Sequence, residues 1–142
     1  MRDFPQSMPK IPAPARVLIV DDESLIRWSV AVTLAERGYE VVEAGDAAGA
    51  RSAIRDPQGR FDVVLLDLRL PDSHDLTLLE SIRRLSPDAQ VILMTAFGGP
   101  EVVRGALDIG AYRVMNKPFE MHALADLVAE AAAAGRPRAE TH

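Results

Sequence analysis

The chain has no cysteine. That excludes a disulfide scaffold and thiolate metal sites, and it suits a reducing compartment, so a cytoplasmic location is expected. No apolar run approaches the ~18 residues that a membrane span needs. The opening stretch MRDFPQSMPKIPAPA lacks the continuous apolar core of a signal peptide. There is no excess of positive charge: 16 Lys and Arg stand against 21 Asp and Glu, a net charge of -5. Neither a membrane role nor direct nucleic-acid binding is therefore expected. What is present is 142 residues, 48% hydrophobic and 26% charged, the balance of one ordinary globular domain. A domain of this size buries roughly two thirds of its unfolded surface, enough for a core without covalent staples.

Residues 1–15 carry Pro5, Pro9, Pro12 and Pro14. That density blocks helix and sheet ladders, so a flexible arm is expected there. Gly, Pro and charge after Ala134 predict a loose tail over 135–142. The ordered unit is expected over 16–134. Short runs rich in Val, Ile and Leu recur within it: Val17–Val20, Glu40–Glu43, Phe61–Leu66, Gln90–Met94 and Tyr112–Met115. Three are nearly continuous in apolar character, as in strands buried on both faces. Segments with helical spacing alternate with them. Their stripes are Ile26, Val30, Leu34; Ala50, Ala53, Ile54; Leu78, Leu79, Ile82, Leu85; Val102, Val103, Ala106, Leu107; and Leu124, Leu127, Val128, Ala131. Gly38 and Pro87 stand where the first and third helices should stop. Strand and helix in alternation predict an α/β fold, a doubly wound five-stranded parallel sheet with five helices.

Such sheets bind ligands at the carboxyl ends of their strands. Asp21, Asp22 and Glu23 follow the first strand there, Asp67 the third, Thr95 the fourth and Lys117 the fifth. A lone Asp after a strand is ordinarily a turn former. Acidic groups, a hydroxyl and a lysine at matching strand ends need another explanation. Two carboxylates ~4 Å apart at an effective dielectric of ~20 repel by about 4 kcal/mol, so a cluster raises a pKa or recruits a cation. Oxygen ligands without His or Cys suit Mg²⁺ or Mn²⁺, and Mg²⁺ favours one or two carboxylates plus a phosphate. Asp67 can then act as a nucleophile towards phosphorus, with the metal and Lys117 neutralising charge and the Thr95 hydroxyl donating a hydrogen bond.

Four segments, VLIVDDE (17–23), VVLLDLRLPD (63–72), VILMTA (91–96) and NKPF (116–119), together resemble the receiver domain of two-component response regulators. The resemblance covers nearly all of 16–134 in both order and spacing. It implies that Asp67 is the phosphoacceptor. It implies that Asp22, Asp67 and the Arg69 backbone carbonyl ligate Mg²⁺ directly and that Asp21 acts through water. Lys117 would reach the phosphoryl group, held by a cis peptide before Pro118, and Thr95 would be the switch hydroxyl. The donor would be a phosphohistidine on a sensor histidine kinase or phosphotransfer protein, or a small molecule such as acetyl phosphate. The product would be a phosphoprotein switch, not a turnover enzyme, with slow autodephosphorylation. The segment ESLIRWSVAVTLAERGYEVVEA is similar to receivers of the nitrogen-regulator type. Trp28 within it is expected at the surface.

The sequence departs from the family in two places. Where receivers usually carry Tyr or Phe three residues before the lysine, this chain has Val114. Tyr112 is two places early and is expected to pack at an edge. The switch would then run through the backbone of the 95–100 loop and the fourth helix. Phosphorylation would bias the face made by the fourth helix, fifth strand and fifth helix, through which a partner or second copy would bind. The second departure is the loop Pro71-Asp72-Ser73-His74-Asp75, where Gly is usual in two positions. His74, His122 and His142 are expected to be solvated, and Arg69 and Phe97 to tune dephosphorylation.

Rival readings fit less well. An FMN carrier needs a hydroxyl- and glycine-rich loop after its first strand, and a dinucleotide fold needs G-x-G-x-x-G; neither is present. A phosphatase of the haloacid-dehalogenase type usually has Asp two residues after its nucleophile, where this chain has Arg69. The stronger alternatives are an interaction module that signals without phosphorylation, and a receiver cut from a longer transcription regulator. The short tail leaves no room for an effector domain, so a single-domain regulator is the direct reading.

Overall fold

The computed structural model describes residues 14–73, 75–96 and 98–135. Residues 1–13 of the expected arm (1–15), His74, Phe97 and residues 136–142 of the expected tail (135–142) lie outside them; Gly135, expected in the tail, instead closes the last helix. Five strands and five helices alternate: β1 Arg16–Val20, α1 Ser24–Glu36, β2 Glu40–Ala44, α2 Ala47–Arg55, β3 Val63–Asp67, α3 Thr77–Leu85, β4 Gln90–Thr95, α4 Pro100–Ile109, β5 Arg113–Asn116 and α5 Met121–Gly135. The strands form one parallel sheet in the order β2-β1-β3-β4-β5. The order reverses beside β1 and β3, and it is there that loops leave the sheet in opposite directions.

The period of two along each strand divides the core into two layers. Leu18, Val20, Val64, Leu66, Val91 and Leu93 face α2, α3 and α4. Val17, Ile19, Val63, Leu65, Ile92 and Met94 face α1 and α5. Both faces are apolar, which is why β1, β3 and β4 read as unbroken hydrophobic runs. The sheet edges differ: β2 and β5 are only partly buried. Burial of a Leu, Ile or Val side chain is worth roughly 1.5–3 kcal/mol, so the three central strands, apolar on both faces, carry a large share of the hydrophobic stabilisation.

Two expected core positions lie elsewhere. Leu85 is 38% and Leu107 47% exposed, each at the carboxyl-terminal end of a stripe whose earlier residues face the sheet. Within α4 only Ala106 is fully buried. Gly38, at φ +96°, ends α1 in the left-handed region that side chains disfavour. All the strands but β1 reach further towards their carboxyl ends than the apolar runs. β3 starts at Val63 and includes Asp67, β4 includes Thr95, and β5 runs from Arg113 to Asn116. Phe61 is buried ahead of β3, beneath the Arg16 guanidinium at 4.7 Å from its ring centre. Two candidate residues are thus rigid strand positions rather than loop residues.

Candidate functional site

Asp21, Asp22 and Asp67 meet at the carboxyl end of the sheet, each with an oxygen within 4.8 Å of the others'. Their environments differ. Asp21 is fully buried, Asp67 is 6% exposed, and Asp22 points outward. Backbone bonds explain the placement. The Asp21 N–H donates to the Ala44 carbonyl (3.1 Å), carrying the ladder with β2 one residue past β1. The Asp21 carbonyl accepts from Arg27 (2.6 Å), whose guanidinium also pairs with Glu43 (3.0 Å). Asp67 lies opposite Met94 in the register, and its Oδ1 accepts from the Arg69 N–H (3.1 Å).

Lys117 reaches in from the far side. Its N–H donates to the Thr95 carbonyl (2.8 Å), and the Lys117–Pro118 peptide is cis, as the resemblance implied. Its ammonium donates to Asp21 Oδ2 (2.9 Å), Glu23 Oε1 (3.1 Å) and Asp67 Oδ2 (3.2 Å). Thr95 is 3% exposed at the end of β4. Gly98 passes so close that a Cβ there would lie 2.6 Å from Asn116 Oδ1 and 2.8 Å from the Thr95 methyl group. The lack of a side chain at Gly98 therefore lets the β4–α4 loop pack against the site.

The electrostatics follow from these contacts. Burial pushes the Asp67 carboxyl up to about 6, with the Asp21 charge adding to the rise and the Arg69 N–H and Lys117 opposing it. Burial alone would lower the Lys117 pKa, but the hydrogen bond and charge of Asp21, then Asp67 and Glu23, hold it above its usual value. The cluster is one ammonium among several carboxylates, a set with capacity for a hard cation.

The structure brings Asp21, Asp22, Asp67, Thr95 and Lys117 to one rim, and Arg69 stands beside them, exposed. Val114 does not face that rim group in the same way. It is partly buried and packs on the α2–α4 layer, whereas Tyr112 packs on the α1–α5 layer. Tyr112 precedes β5, so strand alternation does not carry it to the Val114 side; its hydroxyl instead donates to Glu130 (2.5 Å). The glycine-poor loop is held by reciprocal backbone bonds between Leu70 and Ser73 (2.8 and 3.2 Å). It is also tied down by Asp72, which accepts from the Ala47 (2.7 Å) and Ala48 (3.1 Å) N–H groups at the start of α2. Sequence reasoning placed Glu23 in the acidic run without a role; its contact with Lys117 spans 94 positions. The only sequence signal for it was a third acid after two aspartates.

Residues 17–129 match the sequence model of the response regulator receiver domain. The chain belongs to that family. The response regulator protein PilR of Pseudomonas aeruginosa is 36% identical over 126 residues, 88% of this chain and 28% of PilR. The DNA-binding transcriptional regulator NtrC of Azospirillum brasilense is 31% identical over 125 residues, 88% of this chain and 26% of NtrC. The chain thus spans between a quarter and a third of the length of these two relatives. The crystal structure of a CheY-like receiver domain protein from Methanospirillum hungatei superposes with a TM-score of 0.81 at 30% identity, covering 86% of this chain and 96% of that one. Receiver domains act in two-component signalling and bind Mg²⁺ at an acidic aspartate cluster, and the Asp21, Asp22 and Asp67 carboxylates of this receiver lie together as such a cluster requires.

Proposed function

We propose that this receiver accepts a phosphoryl group on Asp67 and uses it to switch a partner-binding face. The observation that carries the reading is the triple contact of Lys117 with Asp21, Glu23 and Asp67 beside the exposed carboxylate of Asp22. An Asp67 oxygen attacks phosphorus while the P–N bond of a phosphohistidine breaks. The electron pair leaves with the imidazole, which is protonated, and an acyl phosphate remains on Asp67. Lys117 neutralises charge on the transferred group, and Thr95 donates to one of its oxygens.

The donor set fits Mg²⁺ or Mn²⁺: clustered carboxylates with no imidazole or thiolate. Asp22 and Asp67 would bind the ion directly with the Arg69 backbone carbonyl, and Asp21 through water. Both Asp21 oxygens are already engaged, one by Lys117 and one by the Glu23 N–H (2.9 Å), which supports that division. The ion, when bound, supplies positive charge against the phosphoryl oxygens.

The phosphodonor is a sensor histidine kinase or phosphotransfer protein. Leu25 and Trp28, 73% and 59% exposed on α1, the helix that starts next to the acidic run, offer such a partner an apolar foothold. Phosphorylation adds nearly two negative charges at the rim, and Thr95 with the loop to α4 responds. Val114 replaces the usual aromatic, so the signal passes through that backbone to the α4–β5–α5 face, where a second copy or an output partner binds. We place the functional unit at 16–134 and its location in the cytoplasm; among the described residues no helix is long and apolar enough to cross a membrane. The chain is a switch with self-phosphotransfer and slow autodephosphorylation, not a turnover enzyme.

The test is intact-protein mass after incubation with acetyl phosphate, with and without Mg²⁺, for wild type and Asp67→Ala. One phosphoryl group gained by wild type alone, and only with the ion, is expected. Equal gain by Asp67→Ala would overturn the assignment of the acceptor. No gain from acetyl phosphate or from a phosphohistidine donor would favour a module that signals without phosphorylation.

A further inference from the structure

We propose that Glu23 is a positioning residue that competes with the phosphoryl group for Lys117, and so limits how readily the acyl phosphate forms and how tightly it is held. The proposal rests on the reading of Asp67 as phosphoacceptor. An ammonium group has three N–H donors and no more. In Lys117 all three are taken, by Asp21 at 2.9 Å, Glu23 at 3.1 Å and Asp67 at 3.2 Å. A phosphoryl group on Asp67 brings new oxygens into reach of the same ammonium, so one existing contact must be given up. Asp21 is fully buried, and releasing it would leave a carboxylate without its cation in a dry site. Asp67 carries the new group itself. The Glu23 carboxylate is 57% exposed and can exchange Lys117 for water at little cost. Glu23 is therefore the contact that yields.

A second observation points the same way. Glu23 is the N-cap of α1, a position that favours short side chains able to accept from the first helical N–H groups. Its side chain makes no capping bond and reaches Lys117 instead. A residue that forgoes its local role has its compensation elsewhere, here at the site. Its carboxylate also stands on the approach to Lys117. Glu23 shares with Ile26, Phe119 and Met121 the lining of an open groove of about 450 Å³ that runs up to the lysine. The exposed Glu23 charge also repels an anionic donor brought near Lys117, so competition and repulsion act in the same sense.

The experiment compares the 142-residue chain as wild type, Glu23→Gln and Glu23→Asp at saturating Mg²⁺. It reads the dissociation constant for beryllofluoride, a mimic of the acyl phosphate, by ¹⁹F NMR, and the phosphorylation rate with acetyl phosphate. Glu23→Gln is expected to bind beryllofluoride about two- to fivefold more tightly, the effect of replacing an exposed charged acceptor of Lys117 by a weaker neutral one, and to phosphorylate faster by a similar factor. Glu23→Asp keeps the charge but is one methylene shorter, so it should fall between wild type and Glu23→Gln. A packing lesion would weaken binding, so a gain separates this role from a structural one. Glu23→Gln binding no more tightly than wild type would overturn the proposal. So would Glu23→Asp matching wild type while Glu23→Gln gains, since long-range charge would then suffice. Wild type that takes up neither beryllofluoride nor phosphoryl would instead remove the underlying phosphoacceptor reading, and this inference with it.

Discussion

At the amino-terminal end of the sheet a single cation meets carbonyls, a ring face and one acidic group, with its buried Nε lacking a hydrogen bond, whereas at the carboxyl end a single cation is shared among groups that repel one another. The Arg16 guanidinium donates to the Gln58 and Arg60 carbonyls, lies over Phe61 and pairs with Glu40 (3.5 Å), while its backbone N–H donates to Asp62 (2.8 Å). Each contact there joins opposite or complementary partners. At the other end Asp21, Asp22, Glu23 and Asp67 crowd around Lys117. One sheet thus has a closed end that stabilises the fold and an open end that retains uncompensated charge. Charge left over in the resting protein is what a cation and a phosphoryl group would act upon.

The largest effect that breaks the comparison is chemical. Asp67→Ala should abolish Mg²⁺-dependent phosphoryl uptake, read by intact mass, while Arg16→Ala should leave that uptake in place. Next comes stability. Arg16→Ala removes the donor to the Gln58 and Arg60 carbonyls and the countercharge of Glu40, keeps the backbone bond to Asp62, and should cost about 0.5–1.5 kcal/mol in urea denaturation. Asp67→Asn should do the reverse in metal-free protein at neutral pH, stabilising by on the order of 1 kcal/mol as buried repulsion is relieved. Added Mg²⁺ should stabilise wild type and erase that advantage.

The pH dependence sharpens the contrast. The folded Asp67 carboxyl titrates at about 6, above its ordinary value of 3.8, so the folded state holds the proton that the unfolded chain has already released. Its contribution is therefore most favourable below 3.8 and declines as pH rises from there through about 6. Wild type minus Asp67→Asn stability, measured across that window without metal, should fall with rising pH; a flat difference would contradict the placement of Asp67. The smallest effect is expected at Asp72. The Ala47 N–H first, and then Ala48, hold its carboxyl below the usual value, so its tie to α2 persists above the unfolded pKa and weakens as pH falls through the folded one. Asp72→Ala should lower the melting temperature slightly at neutral pH and less in acid.

Much of this was legible in the chain before folding. Runs such as Val63–Leu66 need no partner to be read as buried strands, because continuous β-branched and leucine character suits only a sheet covered on both sides. Asp21, Asp67 and Thr95 could be set at strand ends because each directly follows such a run, and Lys117 because it stands two residues after the last one. Less legible were the side-chain directions. Tyr112 and Val114 share a parity, yet they pack on opposite layers because β5 begins between them. Leu85 and Leu107 keep the spacing of their stripes but lie past the edge of what α3 and α4 can cover.

The sequence by itself determined the order of elements, the two-layered core and the chemical types collected at one rim, because these depend on local period and composition. Only the tertiary structure decided that Asp21 would be dry and Asp22 wet, that Asp72 would hold α2, and that the third donor of Lys117 would go to Glu23. Those outcomes depend on distances between residues far apart in the chain, and the strand register and the packing of helices against the sheet set those distances.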